Sequence, residues 1–87
     1  MTVIVNGKIF HAKFCWTLEN DAMIMFGIFD SRPLFEVAKD FENANVIEKH
    51  SETEGNAVYK DTGRVLRAIR PDASGTEIQI TVERSRA

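Results

Sequence analysis

The fold is decided by residues 22–29, which read Ala22-Met23-Ile24-Met25-Phe26-Gly27-Ile28-Phe29. Successive side chains of a strand point to opposite faces, and both alternating sets in this stretch are apolar. A strand that is apolar on both sides is typical of a central strand covered on both faces. Gly27 within it predicts a β-bulge or the close approach of another segment.

Two more strands are predicted before this stretch, over residues 2–5 and 8–16. The Asn6-Gly7 dipeptide between them favours a type I′ hairpin, because both central residues of that turn need positive φ. Regular alternation along residues 8–16 would put His11 and Cys15 on one face. The opposite face would carry Phe10, Ala12, Phe14 and Trp16.

One short helix is predicted over residues 33–41, because apolar residues recur there at helical spacing. Asp30 or Ser31 is expected to cap its N-terminus, and proline is well tolerated in the first turn. The apolar stripe consists of Leu34, Val37, Ala38 and Phe41. The residues expected on a solvated outer face are Glu36, Lys39, Asp40 and Glu42.

The C-terminal half predicts further strands, separated by an acidic loop over residues 51–55 and by glycine-containing turns. Strands are expected over residues 46–50, 57–60, 64–70 and 76–83. The element order βββ-α-βββ(β) indicates a single α+β domain over residues 1–84, with a frayed tail at residues 85–87. The expected architecture is an antiparallel sheet or half-barrel of six to seven strands with one short helix on one face.

The composition of the chain limits the classes of function that it can have. The chain has 87 residues, of which 44% are apolar and 28% charged, so it forms one domain without room for a two-lobed enzyme. Its net charge of −2 disfavours nucleic acid as a partner, since phosphate binding needs a basic excess. The single cysteine allows no intramolecular disulfide, and no apolar run approaches the roughly 20 residues that span a bilayer. We therefore expect a soluble cytoplasmic protein without a membrane partner.

No catalytic, cofactor-binding or metal-binding residue is predicted, because the chain has no Walker A, GxGxxG, CxxC or HExxH motif. His11 and Cys15 would lie about 13 Å apart along a strand, too far to share one zinc ion. His50 with Ser51, or His50 with the acidic loop, is a minor alternative as a nucleophilic pair or as a small-ligand or metal site. The chain is therefore predicted not to be an enzyme.

A basic cluster is formed by Arg64, Arg67 and Arg70, with no acid between residues 63 and 71. On a regular strand Arg64 and Arg70 would share a face and Arg67 would lie opposite. Tyr59, with Trp16 as a second stacking platform, would complete a possible nucleic-acid contact. Alternatively, the arginines pair across the final hairpin with Glu77, Gln79 and Glu83.

Met23, Met25 and Phe29 form one apolar side of the decisive strand. They are either core beneath the helix or an interface, for which methionine and aromatic side chains are well suited. One short helix covers only one face of this strand. The other face must meet the C-terminal strands or a second molecule.

Residues 34–41, 46–47, 58–65 and 76–82 together resemble small uncharacterised proteins of bacterial prophages and mobile elements. In those proteins a hairpin-rich N-terminal part leads through a short helix to a tyrosine-bearing hairpin, which Tyr59 matches here. The resemblance brings no catalytic residues with it. It implies a protein of phage or mobile-element type.

The leading expectation is thus a non-enzymatic domain that acts through protein–protein association, either with copies of itself or with another protein. The alternative is a small nucleic-acid-binding regulator that uses the arginine-bearing hairpin. No cofactor is expected in either case.

Overall fold

The computed structural model describes residues 1–60, 63–71 and 77–84. Within them the chain forms seven strands and one helix. The predicted turn at residues 61–62, most of the loop at 71–75 and the tail at 85–87 lie outside the described residues. The elements are β1 (Thr2–Val5), β2 (Lys8–Leu18), β3 (Met23–Phe29), α1 (Leu34–Phe41), β4 (Val46–Ser51), β5 (Gly55–Lys60), β6 (Arg64–Pro71) and β7 (Glu77–Arg84).

All seven strands belong to one antiparallel sheet, in the order β5-β4-β1-β2-β3-β7-β6. The predicted α+β class and antiparallel sheet are confirmed. The half-barrel is not formed: the sheet is open, with β5 at one edge and β6 at the other. Edge β6 carries a bulge and ends in Pro71, both of which discourage pairing with another chain.

The core lies between the sheet and α1. Phe41 of the helix packs against Phe10 and Phe26, with ring centroids 5.0 and 5.5 Å apart. Strand β3 runs between β2 and β7, as a central strand should. Among the described residues it is covered on the helix side only, so the expectation that both of its faces are buried is not met there. The buried apolar residues include Val3, Val5, Ile24, Ile28, Val37, Ile47, Ile78, Ile80 and Val82.

The N-terminal hairpin forms as the Asn6-Gly7 dipeptide predicts. Asn6 and Gly7 have φ values of 49° and 85°, the left-handed values that the turn needs. The Asn6 side chain also accepts hydrogen bonds from the backbone N–H groups of Asn45 and Val46, at 3.0 and 3.1 Å. The turn therefore also fixes the start of β4 beside β1.

A bulge between Ala12 and Phe14 changes which residues of β2 share a face. An extra residue in one strand shifts the alternation by one position. Phe10 and Ala12 point to the core, as does Cys15, whereas Phe14 and Trp16 point to the opposite side. The predicted common face of the four residues from Phe10 to Trp16 is therefore wrong beyond Ala12.

The start of α1 also differs from the prediction. Pro33 is the N-cap residue, and its carbonyl accepts hydrogen bonds from Glu36 and Val37 at 3.0 and 3.3 Å. Asp30 instead accepts the backbone N–H and the guanidinium of Arg32. Neither Asp30 nor Ser31 caps the helix with its side chain. The Asp30 carboxylate binds Arg32, a charged partner two residues along the chain.

Asp40 is expected on a solvated face of the helix, but the structure places it elsewhere. Its carboxylate is nearly buried and forms ion pairs with Lys8 and, at 3.0 Å, with Arg32. Arg32 also lies over the Phe10 ring, 5.9 Å from its centroid. These contacts connect the helix to the first hairpin and to the segment that precedes the helix.

Acid is expected to weaken this connection. Burial raises the pKa of Asp40, but hydrogen bonds from Lys8 and Arg32 outweigh it, so the pKa is lower than usual. The hydrogen bond from Arg32 likewise lowers the pKa of Asp30. Groups whose pKa is lower in the folded state stabilise the protein above their unfolded pKa, near 4, and that stability disappears as pH falls. Urea unfolding should show lower stability at pH 3 than at pH 7.

The variant Asp40→Asn is the control for the acid effect. It removes one of the two carboxylates, so the loss of stability between pH 7 and pH 3 should be smaller than in the wild type. An unchanged pH dependence in this variant would contradict a role for the Asp40 ion pairs.

Candidate association surface

The sheet face that points away from α1, here called the open face, carries most of the exposed apolar side chains. Of seven large apolar side chains that are exposed in the described residues, only Phe35 lies elsewhere, on the helix. Half-buried Met23, Met25 and Phe14 lie among them. The six exposed residues of the open face are Ile9, Trp16, Leu18, Phe29, Val58 and Val65.

The apolar residues are continuous along β2 and β3. Trp16 lies opposite Met25 and Leu18 opposite Met23, so these four side chains form two adjacent rows. Phe14 stacks on Trp16 with ring centroids 4.7 Å apart and an interplanar angle of 29°. Trp16 remains 56% exposed in the middle of this patch. Isolated exposed apolar residues are ordinary, whereas a contiguous patch indicates an interaction site.

Gly27 leaves room for the Phe14 ring within the patch. It lies opposite Phe14, whose ring edge occupies the space that a Cβ atom at Gly27 would need. A Glu77 carboxylate oxygen would lie only 2.6 Å from that Cβ. The close approach predicted from Gly27 is therefore confirmed, while the bulge lies on the neighbouring strand instead.

Gly27→Ala is expected to destabilise the protein by about 1–2 kcal/mol. The added methyl group collides with the Phe14 ring, a cost of about 1–3 kcal/mol that the better strand propensity of alanine offsets only in part. Urea unfolding measures the change. In a Phe14→Ala background the same substitution should cost much less, and an equal cost in both backgrounds would contradict the close contact.

Two of the three cationic side chains around the patch form ion pairs with acids on the same face. Arg67 binds Glu83 at 2.6 Å, and Lys13 lies 3.6 Å from Glu77. Arg70 donates to the Gln79 side chain at 3.3 Å. The cross-strand pairing predicted as the alternative therefore occurs for Arg67 and Arg70, whereas Glu77 pairs with Lys13.

The three predicted arginines do not form one cluster. A bulge between Leu66 and Ala68 leaves Arg70 on the open face beside Gln79 and lets Arg67 reach Glu83 there. Arg64 points the other way and is buried, and its guanidinium donates to the Asp21 carbonyl at 2.7 Å. The predicted faces of this strand are therefore reversed after Leu66.

Tyr59 lies apart from these arginines. It is on edge strand β5 and on the core side, packed against the buried cluster. Strands β5 and β6 are the two edges of the sheet, six strand spacings apart along it. Tyr59 points to the core side, whereas Arg67 and Arg70 point to the open face, so these side chains do not form one contact surface.

His11 and Cys15 lie on opposite faces because of the bulge in β2. His11 is exposed on the open face, and Cys15 is buried in the core. Burial raises the pKa of Cys15 to about 11, with smaller and opposite effects from Lys49 and Glu54. Since the thiolate is the reactive form, this thiol is both inaccessible and unreactive at neutral pH.

Cys15 should therefore react very slowly with a thiol reagent such as dithionitrobenzoate in the native protein at pH 8. In denaturant the reaction should be rapid and reach one thiol per chain. The native rate then reports opening of the core beneath β2. Rapid labelling without denaturant would contradict the inward orientation of Cys15.

His50 and Ser51 also point to opposite sides of their strand, so they do not form a nucleophilic pair. Ser51 instead accepts the Glu54 N–H at 3.1 Å, which shapes the turn before β5. A polar notch of about 510 Å³ lies beside this turn, lined by residues that include Met1, Lys13, His50 and Thr53. Within the described residues no group of three histidine, cysteine or acidic side chains is placed to hold a metal ion.

Comparisons with protein-family models, with curated proteins and with solved structures gave no significant match. In the described part of the chain no helix is both long and apolar enough to cross a bilayer. The open face is thus the strongest functional feature that the chain itself supplies. The sequence singles out Met23, Met25 and Phe29. Regular alternation predicts that Phe14 and Trp16 share the face of Phe10 and Ala12, because a bulge has no clear signature in the residues around Lys13.

Proposed function

We propose that this protein is a non-enzymatic association domain whose open face binds a protein surface. The observation that carries the proposal is the apolar patch around Trp16 and Met25, which α1 does not cover. Aromatic and methionine side chains are enriched in the centres of protein interfaces. The proposal assigns no catalytic residue and needs no cofactor.

The charges of the open face favour a protein partner over nucleic acid. Binding to a phosphate backbone requires arginine or lysine side chains that are available to phosphates. Here Arg67 and Lys13 each have an acidic partner on the same face, Arg64 lies in the core, and only Arg70 has a neutral partner, the Gln79 side chain. The stacked Phe14 and Trp16 rings would suit nucleotide bases, so a single-stranded oligonucleotide is the competitor to test.

The proposal places the protein in the cytoplasm, since its one cysteine is buried and forms no disulfide. The resemblance to prophage proteins adds a prediction about the coding sequence. Capsid, tail or replication genes should lie beside it, and their protein products would be candidate partners.

The direct experiment uses tagged chains produced in the source cells. The wild type should migrate in a complex larger than the monomer in size-exclusion chromatography of the extract. The double variant Trp16→Ser/Met25→Ser should migrate as a monomer, because the centre of the patch has become polar. The matched control is Phe35→Ser, which removes an apolar side chain that is 64% exposed on the helix, and should behave as the wild type.

Two outcomes would overturn the proposal. One is identical migration of the wild type and the double variant. The other is tight binding of the purified wild type to single-stranded DNA or RNA in fluorescence anisotropy, lost on Trp16→Ser or Arg70→Ala. That second result would establish the nucleic-acid alternative.

A further inference from the structure

We infer that the open face binds the open face of a second copy of this chain, giving a two-sheet sandwich. This inference rests on the proposed function and names its partner. Two antiparallel sheets commonly pack face to face at about 10 Å, with apolar side chains interdigitating between them. The single sheet of this chain already has such an apolar outer face. A second copy related by a twofold axis would supply the matching sheet.

The size of the face agrees with the needs of a dimer. The molecule measures 34 × 30 × 23 Å along its principal axes, so the outline of one face is at most about 1,000 Å². A standard specific interface buries roughly 800 Å² on each partner. A second copy that covers most of this face reaches the required area.

The charge pattern is compatible with self-association. A twofold interface brings each residue against the same patch of the partner, so an excess of one sign would repel. Around the patch the positive groups of Lys13 and Arg67 are each balanced by Glu77 and Glu83 on the same face. On β2 and β3 the open-face side chains between them are all apolar and belong to Phe14, Trp16, Leu18, Met23 and Met25, while β7 contributes the uncharged Gln79 and Thr81.

The position of the apolar rows fixes the centre of the dimer. Trp16 and Met25 lie side by side, between the row of Phe14 and Gly27 and the row of Leu18 and Met23. A twofold axis that passes near Met25 buries the most apolar area, because the patch extends to either side of it. Met25 of one copy then lies close to Met25 of the other.

Sedimentation velocity of the purified chain over a range of micromolar concentrations tests the inference. We expect a concentration-dependent monomer–dimer equilibrium. Met25→Glu should weaken the dimer by about tenfold or more, because it buries an unpaired carboxylate. Phe35→Glu, on the helix side, should leave the equilibrium unchanged. Circular dichroism of both variants confirms that they are folded.

A cross-linking arm tests the geometry. Met25→Cys should give a covalent dimer with a short bis-maleimide that spans about 10 Å, the separation of packed sheets. Phe35→Cys should remain monomeric, and buried Cys15 does not compete with either introduced thiol. Efficient dimer formation by Phe35→Cys but not by Met25→Cys would overturn the inference.

A wild type that stays monomeric at every concentration would also overturn it. The proposed function would survive that result if the complex in cell extracts still depended on Trp16 and Met25, and would fall with it otherwise. A dimer that persists in Met25→Glu but is abolished by Val58→Pro would place the contact on edge strand β5 and would contradict the face-to-face arrangement.

Discussion

Replacing Phe26 by alanine is expected to cost about 3–5 kcal/mol of stability, the largest effect of any single substitution considered. Phe26 is fully buried in the middle of β3 and packs against the Phe41 ring at 5.5 Å. The cavity would open between sheet and helix, where Phe10 also meets Phe41. The free energy of unfolding of a small domain is only about 5–15 kcal/mol. Urea unfolding should therefore show a much lower midpoint or a chain that is largely unfolded without urea.

Phe29→Ala is the matched control for Phe26→Ala. It removes the same side chain from the same strand, but Phe29 points to the open face and is half exposed. In the monomer it should cost less than about 1 kcal/mol, as surface substitutions usually do. Equal costs for the two variants would contradict the assignment of the two faces of β3.

The second large effect is expected from Arg64→Ala, at about 2–4 kcal/mol. Arg64 is 1% exposed, and its guanidinium donates to the carbonyl of Asp21 in the turn between β2 and β3. Glu19, Asn20 and Asp21 in that turn all have positive φ, which is costly for residues other than glycine. Loss of a buried charge-assisted hydrogen bond and of the packed side chain therefore removes support from a strained turn.

Two further variants separate the causes. Arg64→Met keeps most of the apolar volume and removes the donors, so its cost measures the polar interactions of the guanidinium, among them the hydrogen bond to Asp21. Arg67→Ala on the same strand breaks only an exposed ion pair with Glu83 and should cost less than about 1 kcal/mol. Urea unfolding of all three variants measures these costs. If Arg67→Ala proved as destabilising as Arg64→Ala, the buried role of Arg64 would be contradicted.

The sequence predicts the fold well wherever side-chain period and turn chemistry agree. Residues 22–29 alternate two apolar sets and form central strand β3, and Asn6-Gly7 forms the expected hairpin turn. The stripe at Leu34, Val37 and Phe41 forms the helix. In each case local geometry and burial favour the same structure, so pattern alone is sufficient.

The candidate site is less predictable, since it depends on two bulges. Each bulge adds one residue to a strand and exchanges the two faces beyond it, so Trp16 lies on the open face and Arg70 lies on the face opposite to Arg64. The partners of Asp40 and Arg64 come from distant parts of the chain, and no local pattern encodes such contacts. Met23 and Met25 are predictable as a possible interface because their strand has more apolar residues than one helix can cover.

The fluorescence of Trp16 tests the central claim most directly. It is the only tryptophan of the chain and lies in the middle of the open face, so its emission reports on that surface alone. At high dilution it should emit as a solvent-exposed indole and be readily quenched by acrylamide. With rising concentration the emission should shift to the blue and quenching should decrease in the wild type and in Phe35→Glu, but not in Met25→Glu. An indole already shielded in the dilute monomer, or exposed to the same extent at every concentration, would contradict the assignment of the open face as the surface that binds a second copy.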